Sequence, residues 1–175
     1  MPFTPFHFGP GLLLKAAIPR RFSFLSFATT QVAIDLESWY YLTRSDPHVH
    51  RILHTFVFGT LLGLAIGGLV WFFGFGIHAL LGRRVAGLSI GTPRPIFQPE
   101  LSLRGAALGG LLGGLTHAFL DSIMHRDIQP LRPLSLANPL LGTVGWDLLH
   151  TGCIVAGIIG ALGLILNLRL WRATA

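Results

Sequence analysis

Gly114-Leu115-Thr116-His117-Ala118-Phe119-Leu120-Asp121-Ser122-Ile123-Met124-His125 is the stretch on which the reading of this chain turns. It closes an apolar, glycine-rich run that begins near Leu103 and is long enough to cross a bilayer, which takes roughly 20 apolar residues. Yet it carries Thr116, His117, Asp121 and His125 where a lipid-facing helix would carry leucine. His117, Asp121 and His125 recur every fourth residue, so they share one helical face. Imidazole and carboxylate groups are expensive inside a membrane and mark a functional site there. The stretch therefore predicts a membrane helix whose polar face meets polar groups from other helices.

The rest of the chain agrees with a membrane setting. Of 175 residues, 51% are hydrophobic and only 11% charged, too few to coat a soluble domain of this size. One integral membrane domain over residues 1–175 is the expectation. The single cysteine, Cys153, excludes a disulfide framework. The net charge of +6 is scattered through loops, without the clustered Lys/Arg and interleaved aromatics of a nucleic-acid surface, so no nucleic-acid partner is expected. The N-terminus opens on Pro2, Pro5 and Pro10, which reads as no cleavable signal.

The expected fold is all-α: a polytopic membrane helical bundle of four transmembrane spans plus a short N-terminal re-entrant or interfacial helix. The spans fall at about 22–41, 52–81, 103–124 and 144–168. The short piece, Leu12 to Ile18, would cover only about 10–12 Å, less than half a bilayer. Proline-rich loops separate the later spans, at 82–100 and 127–139. Glycines recur every fourth residue at Gly59, Gly63 and Gly67, and at Gly105, Gly109 and Gly113, a spacing that lets helices approach closely in lipid. Packing within the bundle is the expected use of these glycines; oligomeric state stays open. Lys15, Arg20, Arg21, Arg83, Arg84, Arg94, Arg104, Arg169 and Arg172 fall on one side, against Arg44, Arg51, Arg126 and Arg132 on the other. That bias predicts both termini in the cytoplasm.

With alternating helices, Asp35 and Glu37, His50 and His54, His117 and Asp121, and Asp147 and His150 all come to one side of the membrane. Buried acids must face one another, a cation or water. Mixed imidazole and carboxylate donors suit Zn, Mn or Fe, and their number leaves room for one or two ions. The candidate metal ligands are His7, Asp35, Glu37, His50, His54, His117 and Asp121. His50 and His54, four apart, resemble a helical zinc pair, but Arg51 replaces the Glu of the zincin protease motif. His7 reaches the group if the short N-terminal helix dips into the bilayer. Asp35 and Glu37 are about 200° apart on a regular helix, so either the helix unwinds near Ile34 or Glu37 points elsewhere. A bound divalent ion would activate water for attack on an ester or phosphoester, with Glu37 as candidate general base. Membrane lipids are the expected surroundings, and a lipid the substrate a half-buried site meets first. Two other classes compete: a transporter for metal ions or protons, and a non-catalytic membrane scaffold.

These residues form an ordered set: His7, Asp35-Leu36-Glu37, His50-Arg51-Ile52-Leu53-His54-Thr55, Thr116-His117-Ala118-Phe119-Leu120-Asp121 and Pro130-Leu131-Arg132-Pro133-Leu134-Ser135. In that set the chain resembles the YdjM-like family of predicted membrane-bound, LexA-regulated metal-dependent hydrolases. The resemblance covers most of residues 7–135. Glu37 stands where Asp is commoner, and the run between His50 and His54 lacks the usual Gly. The resemblance implies a metal-dependent hydrolase of the bacterial inner membrane and names no substrate.

Overall fold

The computed structural model describes residues 5–84 and 102–173. A 3-10 turn, Pro5–His7, leads into five helices: α1 (Phe8–Ala17), α2 (Phe24–Leu42), α3 (Phe56–Arg84), α4 (Leu103–Met124) and α5 (Trp146–Ala173). No strand occurs among the described residues. The all-helical expectation holds.

Local chemistry sets the helix starts. Ser23 accepts the Ser26 N–H at the head of α2, and Ser102 accepts the Gly105 N–H at the head of α4. Thr55 performs the same service for α3, taking the Phe58 N–H at 3.2 Å. Helix α1 ends at Ile18, ahead of Pro19, which favours extended backbone in the residue before it.

Helix α4 is the centre of the bundle, with α3 on one side and α2 on another. Its glycines make both approaches. A Cβ on Gly63 would collide with the Gly110 carbonyl, and one on Gly114 with the Gly59 carbonyl, so α3 and α4 run antiparallel with backbones in contact. On the second face, Gly109 and Gly113 lie against Ser23, Ser26, Phe27 and Thr30 of α2. The four-residue glycine spacing is thus used within the bundle, where close packing replaces the hydrophobic drive that lipid removes. Helix α5 is held mainly by α1: Gly9 abuts Cys153 and Gly157, and Gly160 abuts Leu12.

Among the described residues, three helices are long and apolar enough to cross a membrane: Phe56–Ile77, Leu103–Met124 and Trp146–Leu168. This fits an integral membrane protein. The expected first span is present as α2, but its Gln31, Asp35, Glu37 and hydroxyl side chains keep it out of that apolar set. The N-terminal helix begins four residues earlier than expected, at Phe8, and its 10 residues extend about 15 Å. Helix α3 begins at Phe56 rather than residue 52, because residues 50–55 form an irregular segment. Most of the proline-rich loop expected at 82–100, Arg94 included, lies outside the described residues.

Candidate metal centre

Helices α2 and α4 rise side by side in the same direction. The Ser23 N–H donates to Gly105 O at one level, Gln31 meets Thr116 and His117 further along, and Asp35 meets His117 beyond that. The polar face of α4 is therefore laid against the polar face of α2. The irregular segment before α3 adds His54 from a third direction, and the N-terminal turn adds His7 from a fourth.

Asp35, His54, His117 and Asp121 each offer one donor atom, all within 4.8 Å of one another, and all four residues are buried. Asp121 lies in the middle. Its Oδ2 stands 3.2 Å from His117 Nε2 and 3.7 Å from His54 Nε2, and its Oδ1 stands 3.0 Å from His7 Nε2. Asp35 Oδ1 is 3.5 Å from His117 Nε2. Donors about 2.0–2.2 Å from a shared ion lie roughly 3.0–3.6 Å from each other, so the separations about His117 Nε2 fit a cation's ligand shell, while His54 at 3.7 Å would have to draw in slightly. His7 Nε2, His117 Nε2 and Asp121 Oδ1 are buried without a hydrogen-bond partner despite their proximity. Each such orphan costs about 1–3 kcal/mol. Atoms that converge but are misaligned for hydrogen bonds to each other suit a common third partner.

The imidazoles are held from behind. His117 Nδ1 donates to Gln31 Oε1 at 2.6 Å, and Gln31 Nε2 donates to Thr116 Oγ1 at 3.1 Å. That bond places the proton on Nδ1 and leaves the Nε2 lone pair facing Asp121. His54 Nδ1 lies 3.1 Å from Glu37 Oε2, while Ser38 Oγ lies 3.1 Å from the inward Nε2, on the cluster side of the ring. Such outer hydrogen bonds fix the tautomer and ring orientation of a metal-binding histidine.

Glu37 itself is turned away from the cluster. Besides His54 it accepts the backbone N–H groups of Arg51 and Leu53, at 3.1 and 3.0 Å. Helix α2 stays regular through Leu42, so the 200° separation is real, and Asp35 faces α4 while Glu37 faces the segment before α3. The structure thus gives Glu37 an orienting position rather than one among the converging donors.

His50 also departs from its expected place. It lies on the irregular segment, not on a helix face with His54, and its Nδ1 is 2.9 Å from Asp127 Oδ1. Asp127 Oδ2 accepts the N–H groups of Val49 and His50 as well. The His125 ring stacks on His50 with centroids 4.2 Å apart. Burial, with the neighbouring His54 and His125, pushes His50 down to about 4 in spite of Asp127. Burial also lowers His125. For Asp127, burial opposes ionisation, but hydrogen bonds from His50 outweigh it and hold the carboxyl below its usual range. Asp147 is exposed at the head of α5, and His150 Nδ1 donates to Trp146 O at 2.8 Å; neither joins the buried group.

The structure brings together five of the seven expected metal ligands: His7, Asp35, His54, His117 and Asp121. Three partners went unassigned in the sequence: Gln31, Ser38 and Asp127. Gln31 and Ser38 stand four before and three after Asp35, so helical spacing placed them on its face. Asp127 carried no such signal, since it lies in a loop. No family model, curated protein or solved structure matches this chain.

Proposed function

We propose that the protein is a membrane-embedded, metal-dependent hydrolase acting on an ester or phosphoester. One observation carries the reading: buried imidazoles and carboxylates from three chain segments offer donor atoms within 4.8 Å of one another, His7 from a fourth segment reaches the same Asp121, and several of these atoms lack a hydrogen-bond partner. His7, Asp35, His54, His117 and Asp121 would hold the cation, and this donor set suits Zn, Mn or Fe. When bound, such an ion supplies Lewis acidity toward an ester or phosphoester oxygen and acidifies water.

The chain's own residues have distinct tasks. Gln31 and Glu37 hold His117 and His54 with Nε2 directed inward. Asp35 would hold the cation through one carboxylate oxygen and leave the other to accept a proton from water, in place of Glu37, whose oxygens are committed elsewhere. Phe27, Ile34 and Ala118 are fully buried and exclude water. The segment after α4 presents Leu134 and Leu136 to the outside, which suits contact with membrane lipid, and a lipid is the substrate class we favour. In this reading α2 is a fourth span, α1 is re-entrant, both termini are cytoplasmic and the membrane is a bacterial inner membrane. The resemblance of the ordered motif set to the YdjM-like family supports the assignment.

The test is the metal content of purified full-length protein, wild type against His117→Ala and Asp121→Ala, followed by a phosphoester and carboxyester panel. Stoichiometric metal in wild type, lost in both variants together with hydrolysis, is the expected result. Equal and negligible metal in all three proteins would refute it. Metal bound without hydrolysis, but with ion flux into proteoliposomes, would replace the hydrolase with a transporter.

A further inference from the structure

Outside the buried cluster lies a second set of donors. His50, His125 and Asp127 each offer a ligand atom, and the three atoms lie within 4.8 Å of one another. The set is assembled from two irregular segments, one before α3 and one after α4. Those segments are locked together by hydrogen bonds: the Val49 and His50 N–H groups donate to the Asp127 side chain at Oδ2, and the Phe56 N–H donates to Pro130 O at 3.0 Å. The donors are therefore preorganised.

We propose that His50, His125 and Asp127 bind a second divalent transition-metal ion, exchangeable with solvent and separate from the buried centre. Two imidazoles and one carboxylate are a donor set for Zn, Mn or Fe rather than for Ca or Mg. Three protein ligands leave a position open for water or an oxyanion, the arrangement of an exchangeable or catalytic site rather than a closed structural one. His50 and Asp127 line a cavity of about 360 Å³, together with His48, Arg51, Gln129 and Arg132. That cavity gives a hydrated ion a route in, and its arginines suit an anion on the open position. A plain His50–Asp127 hydrogen bond would brace the two segments by itself and would not require the His125 ring stacked at 4.2 Å. An ion taken between His50 Nδ1 and Asp127 Oδ1 replaces their 2.9 Å hydrogen bond, and the imidazole then carries its one proton on Nε2.

The inference does not depend on the buried centre being loaded. Full-length protein in detergent is stripped with chelator and titrated with Zn²⁺ and Mn²⁺. Bound ions are counted by elemental analysis and calorimetry for wild type, His125→Gln and His117→Gln. His125 is half-buried and outside any helix, so its substitution leaves the bundle core untouched; melting of the metal-free proteins checks this. Two ions in wild type, the weaker lost in His125→Gln and the tighter lost in His117→Gln, is the expected result. One ion in wild type that survives in His125→Gln overturns the second site and leaves the buried centre standing. One ion lost in His125→Gln but kept in His117→Gln supports the second site and overturns the buried one. No bound ion at all overturns both.

Discussion

Replacing Gln31 with leucine probes the buried centre without touching a donor. Gln31 is 1% exposed, and its Oε1 accepts the His117 Nδ1 proton at 2.6 Å. Leucine is of similar size and apolar, so the helix contact is kept while the acceptor is lost. The Nδ1–H of His117 is then buried without a partner, a penalty of about 1–3 kcal/mol, and the ring is free to change tautomer and present Nδ1 to the cation. Loss of such an outer hydrogen bond weakens metal binding about 10–100-fold, equivalent to about 1.4–2.7 kcal/mol. Gln31→Glu keeps an oxygen in the same place and should retain affinity at the wild-type level or better. The assay is competition for Zn²⁺ against a fluorescent chelator in detergent, with helix content and metal-free melting recorded in parallel. A folded Gln31→Leu protein with affinity within about twofold of wild type would refute the claim that Gln31 sets the histidine's orientation.

Other expectations can be checked with the same protein. His7→Ala should lower metal affinity at least about tenfold with unchanged helix content, since His7 closes on Asp121 from outside the α2–α4 core; calorimetry reads this, and unchanged affinity removes His7 from the ligand set. Free metal at 100 times its dissociation constant should stabilise the fold by about 2.7 kcal/mol, seen as a raised melting temperature that chelator abolishes and that Asp121→Ala never shows. Gly110→Val should cost at least about 1–3 kcal/mol through overpacking against the Gly63 carbonyl, whereas Gly68→Ala, with open space around its Cβ, should be nearly neutral. Unfolding in graded detergent compares the pair, and equal stabilities would contradict the close α3–α4 contact.

The parts of this molecule that were legible in the sequence are those governed by periodicity. Helix α4 shows its extent through a long, mostly apolar run, and the four-residue spacing of His117 and Asp121 gives their common face directly. The same rule misleads at His50 and His54. Their spacing is helical, but Thr55 starts α3 after them, so the two side chains belong to an irregular segment that sends each to a different carboxylate. Glu37 illustrates a second limit. A carboxylate beside Asp35 looks like a ligand until the Arg51 and Leu53 N–H groups claim it, and those groups carry no signature in side-chain identity. His7 was accessible only by asking what could return the N-terminus to the cluster's depth, a question of topology rather than pattern.

His7 and Asp121 belong to different halves of the molecule. Helices α2, α3 and α4 form one tight unit, while α5 is joined to the remainder chiefly through α1 and the turn that carries His7. Anything gripped between that imidazole and that carboxylate works as a clasp across the seam. Occupancy there would add to the few α1–α2 and turn–α4 contacts that otherwise join the α1–α5 pair to the three-helix unit.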